Sequence, residues 1–235
     1  MQWFLRRSTR YPLPIRDGLE IAEDLDNYTK VKGEFYELAE ELETDLLNGK
    51  MILSKDGEVQ FSSNKAKTKK IPIHLSASIV KTLSSFVFYL KHIAAKNDLI
   101  IIDEPELNLH PNTQVILTRF FAKLVNNGFR LIISTHSDYI IRELNNLIML
   151  SSSKKGVQEI SKKYNYSSKT ILRKEDVAAY LFNYKKPNSR NITVKKIRVS
   201  EYGFEVETID ETIDLLNSVS EDLLLTMRYG VGVNE

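Results

Sequence analysis

Two adjacent carboxylates, Asp103 and Glu104, stand directly after the apolar run of residues 99–102. Four apolar residues in a row predict a buried strand, and open α/β sheets bind ligands at the carboxyl ends of their strands. An acid placed there can hold Mg²⁺, and a second acid can polarise an attacking water. Because like charges so close together raise one pKa, the two acids are expected to have different roles. Taken alone, the same residues equally fit a strand that ends in a solvated turn.

A histidine follows the next apolar run along the chain. Residues 129–134 predict a second strand, and Thr135, His136 and Ser137 come directly after it. Neighbouring parallel strands end at the same edge of a sheet, so His136 is expected to face Asp103 and Glu104. It would there donate a hydrogen bond to a phosphate or an attacking water. A lone histidine in such a place is more often a loop or capping residue, but the two acids favour a chemical role.

The phosphate-binding loop that such chemistry normally requires is not present in this sequence. The 235 residues contain nine glycines, and none of them stands in the spacing G-x-x-x-x-G before Lys-Ser or Lys-Thr. The absence of cysteine excludes a disulfide framework, a cysteine nucleophile and a cysteine-ligated metal site. A net charge of +2 gives no argument for a nucleic-acid or membrane partner. No apolar run approaches the roughly 20 residues of a membrane span. The absence of cysteine fits a reducing compartment, and we expect a cytoplasmic protein.

The spacing of apolar residues predicts an α/β fold with a parallel sheet and flanking helices. Its strands alternate with helices. In chain order the predicted elements are a helix over 76–96, a strand over 98–102, a helix over 111–127, a strand over 129–134, a helix over 137–146 and a short strand over 147–150. Both faces of the first strand are expected to be buried.

Smaller elements are predicted on either side of this core. Before it come a helix over 34–48, a hairpin over 51–61 and a loop over 62–70. After it come a linker over 151–168, a small antiparallel sheet from residues 177–182, 192–199 and 204–206, and a C-terminal helix over 209–227. The chain is therefore expected to divide into three segments, 1–70, 71–150 and 151–235.

Four stretches, taken in order, resemble motifs of ABC-type ATPases. Residues 74–83 are similar to the ABC signature and its helix, and residues 100–105 (Ile-Ile-Ile-Asp-Glu-Pro) resemble a Walker B motif. Residues 107–111 resemble the D-loop and residues 132–137 the H-switch. The resemblance is to the branch without transporters, which holds SMC, RecF and OLD-like proteins and the AAA family ATPases of bacterial defence islands.

The resemblance implies a role for each matching residue. Asp103 would be the Mg²⁺-linked acid, Glu104 the catalytic base and His136 the sensor of the γ-phosphate. Asn108 and His110 would lie in the D-loop, which communicates across a dimer.

The signature stretch departs from the family pattern at one position. Ser76 would contact the γ-phosphate of ATP held by an opposing subunit, and Ala77 or Ser78, depending on the alignment, replaces the signature glycine. A Cβ at that place crowds the approach of the backbone to phosphate, although a serine hydroxyl adds a donor.

The motif order implies the C-terminal half of an ATPase head, a partial P-loop NTPase fold. Such a half would use ATP and Mg²⁺ and would be an enzyme only when a half with the Walker A loop is supplied. Its implied partners are that half or a homologous head, in a homodimer or heterodimer, with DNA or an effector protein as further partners and no membrane. The implied processes are DNA-related or phage defence. The alternatives are a non-hydrolysing interaction subunit and, with less support, a component of an OLD-like nuclease.

A half-head has a structural consequence. One face of its parallel sheet would lack a cover, which would expose an apolar patch and leave an unpaired edge.

Weaker signals lie outside these motifs. Asp24 and Asp26 form a D-x-D pattern that fits a metal site or a solvated helix face, and Arg6, Arg7 and Arg10 fit an arm that grips phosphates or is merely solvated. Other residues are possible nucleic-acid contacts, with a solvated surface expected for the lysines and core packing for the aromatic residues: Lys65, Lys67, Lys69, Lys70, Tyr180, Phe182, Tyr184 and Tyr202.

Overall fold

The computed structural model describes residues 29–54, 57–65, 69–184 and 191–230. The chain divides into two compact units, one ending at Thr135 and one beginning at His136, and each unit is described by itself. Some residues singled out in the sequence lie outside the described ranges: Asp24, Asp26, Arg6, Arg7, Arg10 and Lys67.

The first described helix of the first unit changes its winding. Helix α1, Tyr36–Leu42, continues into a π-helical turn, Glu43–Leu47, where a single helix over 34–48 was expected. Asn48, in the left-handed conformation with φ of 50°, ends the turn. The chain then enters strand β1, Gly49–Leu53.

Three antiparallel strands follow in the order β1-β2-β3, with β2 at Val59–Ser63 and β3 at Lys70–Pro72. The predicted hairpin is confirmed. The loop expected over 62–70 is shorter than predicted, because both of its ends belong to strands. Phe61 pairs with Ile71 across β2 and β3, and this apolar pair extends the sheet by one strand.

A parallel β-α-β unit forms the rest of the first unit. Helix α2, Ser78–His92, precedes strand β4, Leu99–Asp103, and helix α3, Pro111–Asn126, connects it to strand β5, Arg130–Ser134. Strands β4 and β5 are parallel, as predicted. Pro111 begins α3, and Gly128, with φ of 95°, follows its end, so both ends use the expected helix punctuation.

The two faces of the parallel pair differ in their environment. Half-buried residues on one face pack against buried residues of α1, α2 and α3: Ile100, Ile102, Leu131 and Ile133. On the other face Leu99, Ile101 and Ile132 are 49%, 57% and 53% exposed. The expectation that β4 is buried on both faces is therefore wrong, whereas the predicted uncovered apolar patch is confirmed. We call these three residues the bare sheet face.

The second unit begins with helix α4, Asp138–Met149, whose N-terminus is capped by the Ser137 hydroxyl accepting from the Ile140 N–H at 3.3 Å. The short strand predicted over 147–150 is wrong. Residues 147–149 continue the helix because Leu147 and Ile148 fall on its buried face. The linker predicted over 151–168 is also wrong in part, since helix α5 occupies Val157–Lys163.

Two strands and a long helix complete the second unit. Strands β6, Ala179–Tyr184, and β7, Ile192–Ile197, are antiparallel, and helix α6 spans Glu207–Tyr229, close to the predicted helix. Residues 204–206 form no third strand. The Asn145 side chain instead accepts from the Phe204 N–H at 2.9 Å and donates to the Phe204 carbonyl at 2.8 Å.

These elements confirm the predicted fold class: α/β, with a parallel strand pair, flanking helices, a small antiparallel sheet and a C-terminal helix. Within the described ranges, no helix has both the length and the apolar character needed to cross a bilayer.

Candidate functional site

The ends of β4 and β5 are joined at the predicted acids. Asp103 pairs with Ser134 in the parallel register, and the Ser134 hydroxyl donates a hydrogen bond to Oδ1 of Asp103. The Glu104 N–H donates to the Ser134 carbonyl oxygen at 3.1 Å and also to the Ser134 hydroxyl oxygen at 3.3 Å. A single serine on β5 therefore contacts both consecutive acids of β4.

Glu104 leaves the strand in a conformation that is rare for a residue with a side chain. Its φ is 46°, in the left-handed region, which costs of the order of 1 kcal/mol for a residue other than glycine. The next residue, Pro105, is buried, and the Leu107 N–H donates to the Glu104 carbonyl at 3.1 Å. These contacts hold the turn that ends β4 at the second acid. Such strained residues are concentrated at functional sites.

The loop after β4 is held to the end of β5 by a second contact. The Thr135 hydroxyl donates to Oε1 of Glu106 at 2.8 Å, and the Leu109 N–H donates to the Glu106 carbonyl at 3.0 Å. Asn108 is exposed and has φ of 61°. His110 is also exposed, and its Nδ1 accepts from the Asn112 N–H at 3.3 Å, so it caps helix α3.

The signature-like serines lie at the start of α2. Ser76 ends the 3₁₀ turn Ile73–Leu75, and its hydroxyl donates to the Ile73 carbonyl at 2.6 Å. Ser78 is the first residue of α2 and is exposed. Ala77 precedes it and supplies no side-chain cap, so the first N–H groups of α2 lack such a partner. No hydrogen bond in the described chain joins Ser76 or Ser78 to the acids.

His136 is exposed and follows Thr135 directly, but it is the first residue of the second unit. Its approach to Asp103 and Glu104 stays a prediction. The structure thus brings together Asp103, Glu104 and the end of β5. Ser76 and Ser78 lie at the start of α2, and His136 belongs to the second unit.

Sequence reasoning assigned no role to the hydroxyl groups of Ser134 and Thr135 or to the carboxylate of Glu106. A signal for Ser134 was available in the sequence. In two parallel strands that end together, the last residue of one strand faces the last residue of the other, and here these residues are an acid and a serine.

The residues at this edge fit a Mg²⁺ ion that is held mainly by a nucleotide. Mg²⁺ takes oxygen ligands and is usually bound by one or two carboxylates together with phosphates and water. Asp103 is exposed, and its carboxylate is oriented by the Ser134 hydroxyl. In the part of the chain that the structure describes, no three His, Asp or Glu side chains cluster as a complete metal site. The Asp103 carboxylate could supply one oxygen ligand to such an ion.

One comparison with known proteins indicates an ATPase domain. The family model described as "AAA ATPase domain" matches residues 17–141, which is more than half of the chain. A solved structure described as "Structural biochemistry of ATP-driven dimerization and DNA stimulated activation of SMC ATPases" is similar, with 10% identity and a TM-score of 0.42. That likeness covers 79% of this chain and 91% of the other. No curated protein matches the sequence.

Proposed function

The chain belongs to the AAA ATPase domain family, and from this premise we propose that it is the Walker B half of an ABC-type ATPase head. In this proposal it binds and hydrolyses ATP at a dimer interface once a half bearing a P-loop completes it. The observation that carries the proposal is the pairing of Asp103 with Ser134, which holds two consecutive acids at the exposed end of a parallel strand pair.

Each residue of this edge has a task in the proposed reaction. Bound Mg²⁺ would neutralise charge on the phosphates, and Asp103, oriented by Ser134, would hold it. Glu104 would accept a proton from the attacking water, and the fixed turn at this residue would limit where its carboxylate can reach. His136 would donate a hydrogen bond to the γ-phosphate. Because Asp103 would hold the ion and only Glu104 would accept a proton, the two acids would not compete for the same proton.

The serines and the loop residues would act across the dimer. The start of α2 has no side-chain cap and would act as an anion site of the kind that helix N-termini provide. Ser76 and Ser78 would there contact the γ-phosphate of ATP bound to the opposing head. Asn108 and His110 would lie in the loop that faces the partner, where Glu106 and Thr135 tie the loop to the end of β5.

The bare sheet face supports the part of the proposal that concerns a missing half. Leu99, Ile101 and Ile132 are apolar and exposed on the side of the parallel pair away from α2 and α3. Parallel strands are normally covered on both faces. In the proposal, the half that carries the P-loop covers this face. The completed head would then pair with a homologous head and act on DNA or an effector protein, in a DNA-related or phage-defence process.

A non-hydrolysing interaction subunit is the second candidate, and the lack of a Walker A loop in this sequence favours it. Asp103 and Glu104, which such a subunit would not need, count against it. An OLD-like nuclease component is a weaker candidate and rests on Asp24, Asp26 and the basic loop. Metal-dependent DNA cleavage that is lost in Asp24→Ala and Asp26→Ala variants would favour the nuclease.

The proposed function is tested by combining the chain with a P-loop half. That half is either fused in frame before this chain or co-expressed from an adjacent gene. Glu104→Gln keeps the shape of the side chain but cannot accept the proton. We expect this variant to accumulate an ATP-bound dimer of heads, measured as unhydrolysed ATP that stays bound to the assembly in the presence of Mg²⁺. Glu37→Gln, an exposed change on α1, is the matched control and should behave as the parent. A Glu104→Gln assembly that hydrolyses ATP at the parent rate would refute the role of Glu104.

A further inference from the structure

The β6–β7 hairpin exposes a row of aromatic and aliphatic side chains. Residues that alternate along a strand share one face, and the register pairs Phe182 with Val194 and Tyr184 with Ile192. Tyr180, opposite Lys196, completes the row. All five apolar residues of this row are more than half exposed, and Phe182 reaches 69%. Core packing, the sequence expectation for the aromatic residues, is therefore wrong. We call this row the aromatic sheet face.

Helix α6 carries a second uncovered apolar surface in the same unit. Apolar residues recur along it every three or four positions, the spacing that places them on one side of a helix: Ile209, Ile213, Leu216, Val219, Leu223 and Met227. From Leu216 onward they are exposed, and Met227 reaches 86%. We call these residues the helix stripe. At 100° per residue, the acids of α6 lie on the opposite side of the helix.

The two surfaces belong to regions of opposite charge. Helix α6 contains six Asp and Glu residues and one Arg, whereas residues 136–206 contain fourteen Lys and Arg residues and seven Asp and Glu residues. Opposite net charges draw such regions together during association. The stripe therefore suits an apolar surface within a basic region, and the aromatic sheet face is such a surface.

We propose that the helix stripe of one copy packs on the aromatic sheet face of a second copy, and reciprocally, in a dimer that forms without nucleotide. A two-fold axis makes the two contacts identical and buries both apolar surfaces of each copy. Helix α6, with 23 residues, is about 34 Å long, and strands of six residues are about 20 Å long, so the helix is long enough to cross the hairpin.

The anchoring of α6 within its own chain favours a second copy as the occupant. Nζ of Lys195 pairs with Oε1 of Glu207 at 2.7 Å, and the Val206 N–H donates to Asp210 at 3.0 Å. Lys195 lies between Val194 and Lys196 on β7 and so belongs to the face opposite the aromatic row. The helix thus begins at the far side of its own hairpin, and folding back onto the aromatic face would break this anchor.

The experiment measures the molar mass of the purified chain by light scattering, with EDTA and without nucleotide. We expect a dimer for the parent, and a monomer for Phe182→Glu on the sheet and for Leu223→Lys on the helix. Asn183→Glu and Ser218→Lys place the same charges on the opposite sides of β6 and α6 and should remain dimeric. Circular dichroism checks the fold of each variant, and Tyr184→Glu and Val219→Lys replace any variant that does not fold.

Mixing the two monomeric variants tests whether the helix stripe of one copy packs on the aromatic sheet face of the other. A mixed dimer of Phe182→Glu and Leu223→Lys would have one unaltered contact and one contact in which Lys meets Glu, so we expect the dimer mass to return. Failure of the mixture to form a dimer overturns the proposal. So does a dimer that responds to only one of the two changes, since that indicates helix–helix or sheet–sheet pairing.

A monomeric parent also overturns the proposal. If that monomer binds a labelled single-stranded oligonucleotide and Phe182→Glu loses the binding, the aromatic sheet face is a nucleic-acid surface instead. These measurements contain no ATP, so their failure leaves the proposed ATPase function untouched.

Discussion

Glu43 and Lys91 form an ion pair inside the first unit. Oε1 of Glu43 accepts from Nζ of Lys91 at 2.7 Å and from the Met51 N–H at 2.6 Å, and both side chains are at most 5% exposed. The pair joins the π-helical turn, α2 and β1. Removal of charges from water offsets much of the attraction between them, so we expect the intact pair to contribute little net stability.

Breaking this pair on one side should be costly. Lys91→Met leaves an uncompensated buried carboxylate, and we expect the free energy of unfolding to fall by about 3 to 5 kcal/mol. Glu43→Gln combined with Lys91→Met removes both charges and should cost less than the single change. Urea unfolding at neutral pH followed by circular dichroism measures both values. Equal losses in the two variants would show that charge burial is not the cause.

Tyr89 gives the first unit a dependence on alkaline pH. Burial raises the pKa of the Tyr89 hydroxyl well above its usual value, and its hydrogen bond to Asp98, 2.6 Å long, raises the pKa further. A folded-state pKa above the unfolded one means that the contribution to stability is complete below about pH 10 and is lost as pH rises beyond it.

Tyr89→Phe tests this dependence. The variant should be less stable than the parent by about 1 kcal/mol near pH 8, because it loses the hydrogen bond to Asp98. The difference should shrink above pH 10, where ionisation favours the unfolded parent. Urea unfolding at both pH values measures it, with Tyr180→Phe, a change at an exposed tyrosine, as the control. A difference that does not change with pH would contradict the assignment.

At the scale of elements, the parallel β-α-β unit could be predicted because its signals agree. Two apolar runs bracket a periodic helix that Pro111 begins and Gly128 follows. The false strand over 147–150 arose because Leu147, Ile148 and Leu150 are apolar and nearly consecutive, a pattern that also fits the buried end of a helix. Periodicity gave no warning that the aromatic residues of β6 would be exposed, since it reports which residues share a face and not what covers that face.

The candidate site also has features that the sequence predicts and features that it does not. The position of Asp103 and Glu104 at a strand end followed from the apolar run before them. The left-handed turn at Glu104 and the serine contact depend on which strand lies beside β4 and in which register, and those are tertiary facts.

A charge on the bare sheet face should prevent the chain from associating with a P-loop half. Ile132→Lys places a charge on the face without disturbing the packed side of β5, so the chain alone should keep its thermal midpoint and bind less of an apolar dye. The same change should prevent association with a P-loop half, because a charge would be buried there. Val31→Lys, an exposed change elsewhere in the first unit, is the control. Unchanged association by Ile132→Lys would contradict the proposal that this face is covered by the missing half.

For the whole molecule, the described residues contain the acids Asp103 and Glu104 at a strand end and the bare sheet face in the first unit. The second unit contains the aromatic sheet face and the helix stripe. In our account the first unit is completed by a P-loop half, and the second unit pairs with a second copy. The two associations differ in their dependence on ATP. The pairing of second units is measured by molar mass without ATP, and the pairing of heads is measured by the ATP that stays bound.

Hydrolysis of ATP by the chain alone and by the chain joined to a P-loop half tests the central claim most directly. Steady-state phosphate release with Mg²⁺ should be undetectable for the chain alone, appear on joining, and fall by about 100-fold or more in Glu104→Gln, as loss of a general base predicts. Glu37→Gln should keep the parent rate. Rapid Mg²⁺-dependent hydrolysis by the chain alone, or a joined assembly in which Glu104→Gln has no effect, would contradict the account.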